Sequence, residues 1–142
     1  MIRPYHSNDK SAVLSIWRES SSQAHPFLTS DQLDQAAAMI RDHFLDMAET
    51  HIAEQNGQPI GFISLIENQV GGLFLRPSHQ GKRIGKALMD KAVEIKGNLC
   101  LEVFTDNQIG RNFYKSYGFI EGAEKVDPFF GHKVLELSFT PS

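Results

Sequence analysis

Cysteine is almost missing from this chain: Cys100 is the only one in 142 residues. No intramolecular disulfide can form, so a stapled secreted scaffold is excluded. The six histidines show no HxxxH spacing and there is no CxxC, so a structural zinc site is not expected. No apolar run approaches the ~20 residues that span a bilayer. The start, Met1-Ile2-Arg3-Pro4-Tyr5-His6, lacks the apolar stretch of a signal peptide. Repeats, low-complexity tracts and linkers are absent too. The expectation is a single domain over residues 1–142, cytoplasmic, with no membrane partner. An excess of basic charge is also lacking. Fourteen Lys and Arg stand against 17 Asp and Glu, a net charge of −3, which argues against nucleic acid as a partner. At 41% hydrophobic residues the chain is nonetheless too apolar for disorder.

What is present reads as alternating helices and strands. Ile2–Pro4 fits a short edge strand, since proline suits an edge. Ala12, Val13, Ile16 and Trp17 recur at helical spacing, with Ser20-Ser21-Ser22 as the expected helix end. After the loop His25-Pro26-Phe27-Leu28, Ser30 or Asp31 caps a second helix with the stripe Leu33, Ala36, Ala37, Ile40, Phe44, Met47 and Ala48. Ile52–Gln55 and Pro59–Ile66 flank Asn56-Gly57, a strong hairpin turn signal. Leu73–Leu75 is a short strand. Residues 84–96 form a helix with Ile84, Leu88, Ala92 and Ile95 on one face. A strand over 99–105, a short helix over 107–117 and two closing strands, 119–125 and 133–139, complete the chain. The order β-α-α-β-β-β-α-β-α-β-β implies an α/β or α+β fold with a mixed sheet covered by helices.

The charge is distributed unevenly. Residues 1–75 carry four basic and nine acidic side chains, whereas Arg76, Lys82, Arg83, Lys86, Lys91 and Lys96 stand against only Asp90 and Glu94 in residues 76–96. This basic window coincides with a strand, a loop and a helix start: Leu73-Phe74-Leu75-Arg76-Pro77-Ser78-His79-Gln80-Gly81-Lys82-Arg83-Ile84-Gly85-Lys86. Backbone N–H groups at a helix start lack intrahelical partners and lie at the positive end of the helix dipole. Cations there are unfavourable unless an anion joins them, so the pattern points to a phosphate or pyrophosphate site. Neither GxGxxG nor GxxxxGK[ST] occurs, which removes the Rossmann and Walker readings.

Gln80-Gly81-Lys82-Arg83-Ile84-Gly85-Lys86 resembles the acetyl-CoA motif of the GNAT N-acetyltransferases, Gln/Arg-x-x-Gly-x-Gly/Ala, with Arg83 where the middle glycine usually stands. Downstream, Asn107, Gly110, Phe113-Tyr114 and Gly118-Phe119 resemble the second GNAT signature, with Gly110 where alanine is usual. The resemblance covers residues 52–125 well. It implies a mostly antiparallel central sheet flanked by helices, and acetyl-CoA as cosubstrate with no metal. The acceptor would be an amine of a protein or small molecule, attacking directly in a ternary complex, and the protein would be a monomer or homodimer. The backbone of Leu73, Phe74 and Leu75 would pair with the pantetheine arm. Gln80, Gly81, Lys82, Arg83, Ile84, Gly85 and Lys86 would hold the pyrophosphate, with Asn107 as helix cap and pantetheine contact.

The same resemblance makes Tyr114 the catalytic acid that protonates the departing thiolate. Without the motif, a Phe-Tyr pair would read as helix packing. Glu102 is the leading general base, a carboxylate expected among apolar neighbours; Glu67 is the runner-up. His25, with Phe27, is expected to border the acceptor pocket. A non-catalytic CoA-binding sensor, or a module that binds a nucleotide phosphate, would share the cradle without the chemistry.

Overall fold

The computed structural model describes residues 1–142. Seven strands make one sheet in the order β1-β2-β3-β4-β5-β7-β6. They are β1 (Ile2–Pro4), β2 (Glu49–Gln55), β3 (Gln58–Ile66), β4 (Gln69–Leu75), β5 (Leu99–Phe104), β6 (Ile120–Val126) and β7 (Lys133–Phe139). Every neighbouring pair is antiparallel except β4 with β5. Asn56 and Gly57, both at positive φ, make the tight β2–β3 turn.

The alternation along β3 divides the core into two layers. Ile63 and Leu65 pack with Leu88, Met89 and Ala92 of α4 (Ile84–Lys96) and with Leu99 and Leu101 of β5. Phe62, between them, joins Val13, Ile16 and Trp17 of α1 (Lys10–Ala24) and Leu33 of α2 (Ser30–Met39) on the opposite face.

Several boundaries differ from expectation for local reasons. Helix α1 runs past the serines to Ala24, with Ser20 and Ser21 buried inside it. It stops where Pro26 disfavours helical backbone at His25, which has φ −125° and ψ 58°. The cap of α2 is Thr29, not Ser30 or Asp31. Its hydroxyl accepts from the Gln32 N–H (3.1 Å), and Gln32 Oε1 accepts from the Thr29 N–H (3.0 Å), a capping box. After α2 a π-helical turn, Ile40–Phe44, leads into α3 (Leu45–Met47). The wider turn rotates the apolar stripe, so Leu45 is buried and Met47 is exposed. On α4 the buried face is Gly85, Leu88, Met89 and Ala92, and Ile95 faces solvent.

Candidate active site

Strand β4 starts earlier than expected, and its first half shapes the site. It pairs with β5 only through Gln69↔Cys100 and Val70↔Leu101. On its other side it stays paired with β3 as far as Leu75. Ser64 and Leu65 of β3 face Gly72 and Val70, so Gly71 is the extra residue of a β-bulge where β4 leaves β5. Beyond it, the backbone of Leu73, Phe74 and Leu75 has one edge without a strand partner. The gap opens into a cleft of about 760 Å³ that all three residues line. The glycine pair Gly71-Gly72, inside an apolar pattern, was the available sequence signal for this bulge.

One arm of the cleft ends at the start of α4. Gln80, Gly81, Arg83, Gly85 and Lys86 line it; Lys82 and Ile84 do not. Lys82 is exposed, and Ile84 packs on the core beneath α4. Arg83 occupies the N-cap position at φ 63°, the left-handed conformation that its glycine counterpart in the motif would adopt freely. No side chain caps α4, so its first N–H groups remain available to an anion. Gly81, at φ +81°, has open space where a side chain would begin, which leaves the loop backbone accessible. Gly85 lies within the helix at ordinary angles, and its smallness serves packing: a Cβ would stand 3.2 Å from the Phe113 ring.

Ion pairing redistributes the charge of this window. Arg76 pairs with Glu19, Lys86 with Asp90 (2.9 Å), Lys91 with Glu94 (3.6 Å) and Lys96 with Glu49 (3.1 Å). Lys82 and Arg83 alone among the six cations have no acidic partner, so the counter-charge for an anion is concentrated in two residues rather than spread over the window. These features fit the pyrophosphate and pantetheine of CoA: a bare helix start, two unpaired cations and a free strand edge.

Tyr114 stands between the arms, on α5 (Gln108–Tyr117). Its ring packs edge-on against Phe113 and Phe119, and its hydroxyl makes no hydrogen bond within the chain. Burial pushes its pKa up to about 12. Tyr114 is therefore a weaker acid than an ordinary tyrosine, and its hydroxyl stays protonated. Tyr117, one turn on, donates to Asp90 (2.7 Å) and ties α5 to α4.

Asn107 caps α5. Its Oδ1 accepts from the Gly110 N–H (2.9 Å), which orients the amide, and its Nδ2 donates to His25 Nε2 (3.2 Å). The His25 proton consequently belongs on Nδ1. A Cβ at residue 110 would stand 2.5 Å from Asn107 Nδ2, so glycine there lets Asn107 reach His25. His25 is 8% exposed, and burial pulls its pKa down to about 4. Its ring packs on Phe27 and Phe104. Phe27 backs His25 without lining the cleft.

Glu102 lines the cleft, but not in the apolar setting expected of it. Its Oε2 lies 2.6 Å from Lys125 Nζ, which also contacts Glu136 (3.2 Å), and its side chain is 33% exposed. Strand register explains this. Glu102 stands opposite Glu136, and Lys125 of the neighbouring edge strand reaches both carboxylates. Glu67 is excluded from the site. It occupies the exposed β3–β4 turn at φ 54°, away from the cleft wall. The other arm is bounded by Trp17, Ser21, Ile40, Phe44 and Phe130; of its residues only His25 is a site candidate from the sequence, where Trp17, Ile40 and Phe44 read as helix stripe. Its members are far apart in the chain, and each reads as ordinary core.

Comparison with known proteins agrees with this geometry. A family model, the acetyltransferase (GNAT) domain, matches residues 46–121. The peptidyl-lysine N-acetyltransferase YiaC of Escherichia coli is 33% identical over 120 residues, 84% of this chain and 82% of its own. The solution structure of apo YjaB from E. coli superposes with a TM-score of 0.89 at 26% identity, covering 100% of this chain and 98% of that one. The PaiA N-acetyltransferase of Thermoplasma acidophilum, solved with coenzyme A, shares the fold at a TM-score of 0.80 and 22% identity, over 96% of each chain. The family match spans the bulged strand, the loop and helices α4 and α5, and this chain belongs to the GNAT acetyltransferases.

Proposed function

We propose that this acetyl-CoA-dependent N-acetyltransferase acts on lysine side chains of proteins by direct attack of the amine. The observation that carries the reading is one continuous cleft. It joins a free strand edge and an uncapped helix start to Tyr114 and Glu102, and then to a second, apolar arm. The name of the 33% identical relative supports lysine as the acceptor.

Bound acetyl-CoA supplies an acetyl group activated as a thioester. Arg83 and the first amides of α4 hold its phosphates, exposed Lys82 adds unpaired positive charge beside the cleft, and the open edge of β4 aligns its arm. Alignment of two reactants in one cleft is the largest contribution such a site makes. Tyr114 presents its O–H to the departing sulfur. Since its pKa stands near 12 against ~8.5 for a thiol, it stabilises the thiolate by hydrogen bonding rather than by full proton transfer. Glu102 takes a proton from the attacking amine, which at neutral pH is almost wholly ammonium. Its hydrogen bond to Lys125 must exchange for one to the acceptor. Cys100, partly exposed on β5, lies outside the cleft lining, so the amine itself attacks.

Thiol release from acetyl-CoA, measured with lysine peptides and with small amines, tests the proposal. Turnover with lysine peptides at the higher kcat/KM is expected. Turnover confined to small amines would overturn the acceptor assignment, and binding of acetyl-CoA without release in any case would overturn catalysis.

A further inference from the structure

The second arm of the cleft is mainly apolar and carries no charged wall; its polar lining groups are the Ser20 and Ser21 hydroxyls, the Ser21 one buried without a partner, and the His25–Asn107 pair. None of the nine acidic residues in positions 1–75 lines the cleft, so the acidic character of that half supplies no carboxylate to an acceptor. Glu102 is the only acidic lining residue and it carries Lys125. His25 is neutral. The walls come instead from aromatic rings. Phe44, on the π-helical turn, lies against β4 so closely that a Cβ on Gly71 would stand 2.5 Å from its ring. Phe104 meets Phe27, Phe130 and His25 edge-on.

Three exposed apolar side chains line the cleft: Ile109 at the start of α5, beside the Asn107 cap, and two on the elements that close the second arm at its lip. Met39, at the end of α2, is 48% exposed, and Phe129, in the β6–β7 connection, is 43% exposed; both line the cleft. The connection is held in shape. Asp127 Oδ2 accepts from the Phe130 N–H (2.7 Å), and Gln32 Nε2 of α2 donates to the Phe130 carbonyl (3.1 Å). Two exposed apolar groups on tethered elements form a prepared contact rather than a loose flap. A small amine swallowed by the arm would leave both in water, whereas a polypeptide laid across the mouth covers them.

We propose that the enzyme selects lysines flanked in their own chain by bulky apolar side chains, which seat on Met39 and Phe129 while the lysine stem enters between the aromatic walls. This rests on the lysine reading above. A cationic or acidic flank would lose hydration at this lip and gain no partner.

The test uses blocked peptides with a single lysine flanked by two Leu or Phe, two Ser, or two Asp, each assayed by thiol release. Apolar flanks are expected to raise kcat/KM roughly tenfold over Ser, with Asp lowest. Met39→Ser and Phe129→Ser together are expected to shrink the Leu-to-Ser ratio to about twofold. Both positions are exposed, and an unchanged melting temperature verifies folding. Equal rates across flanks, or a preference for Asp, would overturn the selection while leaving lysine as acceptor. A ratio that survives the double substitution would overturn the role of the lip. Failure of every peptide, with small amines turned over, would overturn the lysine reading and the inference with it.

Discussion

The two arms of the cleft are built on opposite plans. The arm proposed for the cofactor is continuous in sequence: β4, the 76–83 loop and the first turn of α4 line it in one sweep, with open backbone groups, unpaired Arg83 and Asp90-paired Lys86. The arm proposed for the acceptor is assembled from α1, the α2–π turn, β4, β5 and the β6–β7 connection, and its walls are side chains, aromatic and aliphatic, with Ser21 and His25 among them. Backbone and charge bind a fixed, charged ligand whatever the surrounding side chains. Shape and apolar area bind whatever body carries the amine, so selectivity in this arm depends on how separate elements pack.

Substitutions can separate the arms. The largest expected effect belongs to neither: Tyr114→Phe should lower kcat roughly 10²- to 10³-fold with little change in either Michaelis constant, because the hydroxyl acts on the departing sulfur. An unchanged kcat would return Tyr114 to a packing role.

Stability against pH probes the acceptor arm. The folded protein keeps His25 neutral with a pKa near 4, whereas the unfolded chain takes up the proton below about 6.5. The contribution is therefore complete above pH ~6.5 and is lost as pH falls towards 4, by roughly 3 kcal/mol. Asp9, held near 2 by Arg3, acts only in a more acidic window. Melting curves of wild type and His25→Asn between pH 6.5 and 4 are expected to differ in slope, the variant being flatter; parallel curves would remove His25 from the account.

Glu102→Gln sits where the arms meet. A loss of roughly tenfold in kcat/KM is expected at low pH, shrinking as pH rises and free amine accumulates. A uniform loss across pH would make Glu102 a binding group instead of a base. The smallest effect concerns the cofactor arm. Arg83→Glu should raise KM for acetyl-CoA about fivefold, leave KM for the acceptor near its wild-type value, and weaken in its effect at high salt. Equal effects on both constants would break the division between the arms.

Legibility in the sequence followed the same division. Residues 80–86 and 107–119 are local motifs whose chemistry is carried in consecutive positions, and the Asn56-Gly57 hairpin and the strands from 99 onward were readable from turn chemistry and alternation. The setting of Glu102 was not, because Lys125 reaches it only through the register of two antiparallel pairs. Nor was the displacement of the stripe by the π-helical turn at 40–44, since one extra residue in a turn leaves no compositional trace. Ser20-Ser21-Ser22 reads as a helix end by propensity, yet tertiary packing keeps it helical.

By itself the sequence determined the order of elements and the family, and it located the bare helix start at 80–86 that is proposed to hold an anion, because turn, cap and motif chemistry act over a few neighbouring residues. Only the tertiary structure decided which cations remain free, that Glu67 lies outside the cleft, and that His25, Asn107 and Gly110 form one unit. The longest of these contacts, His25 with Asn107, joins residues 82 apart in the chain, and Arg76 with Glu19 and Lys96 with Glu49 also join separate elements, where packing and strand register, not local preference, choose the partner.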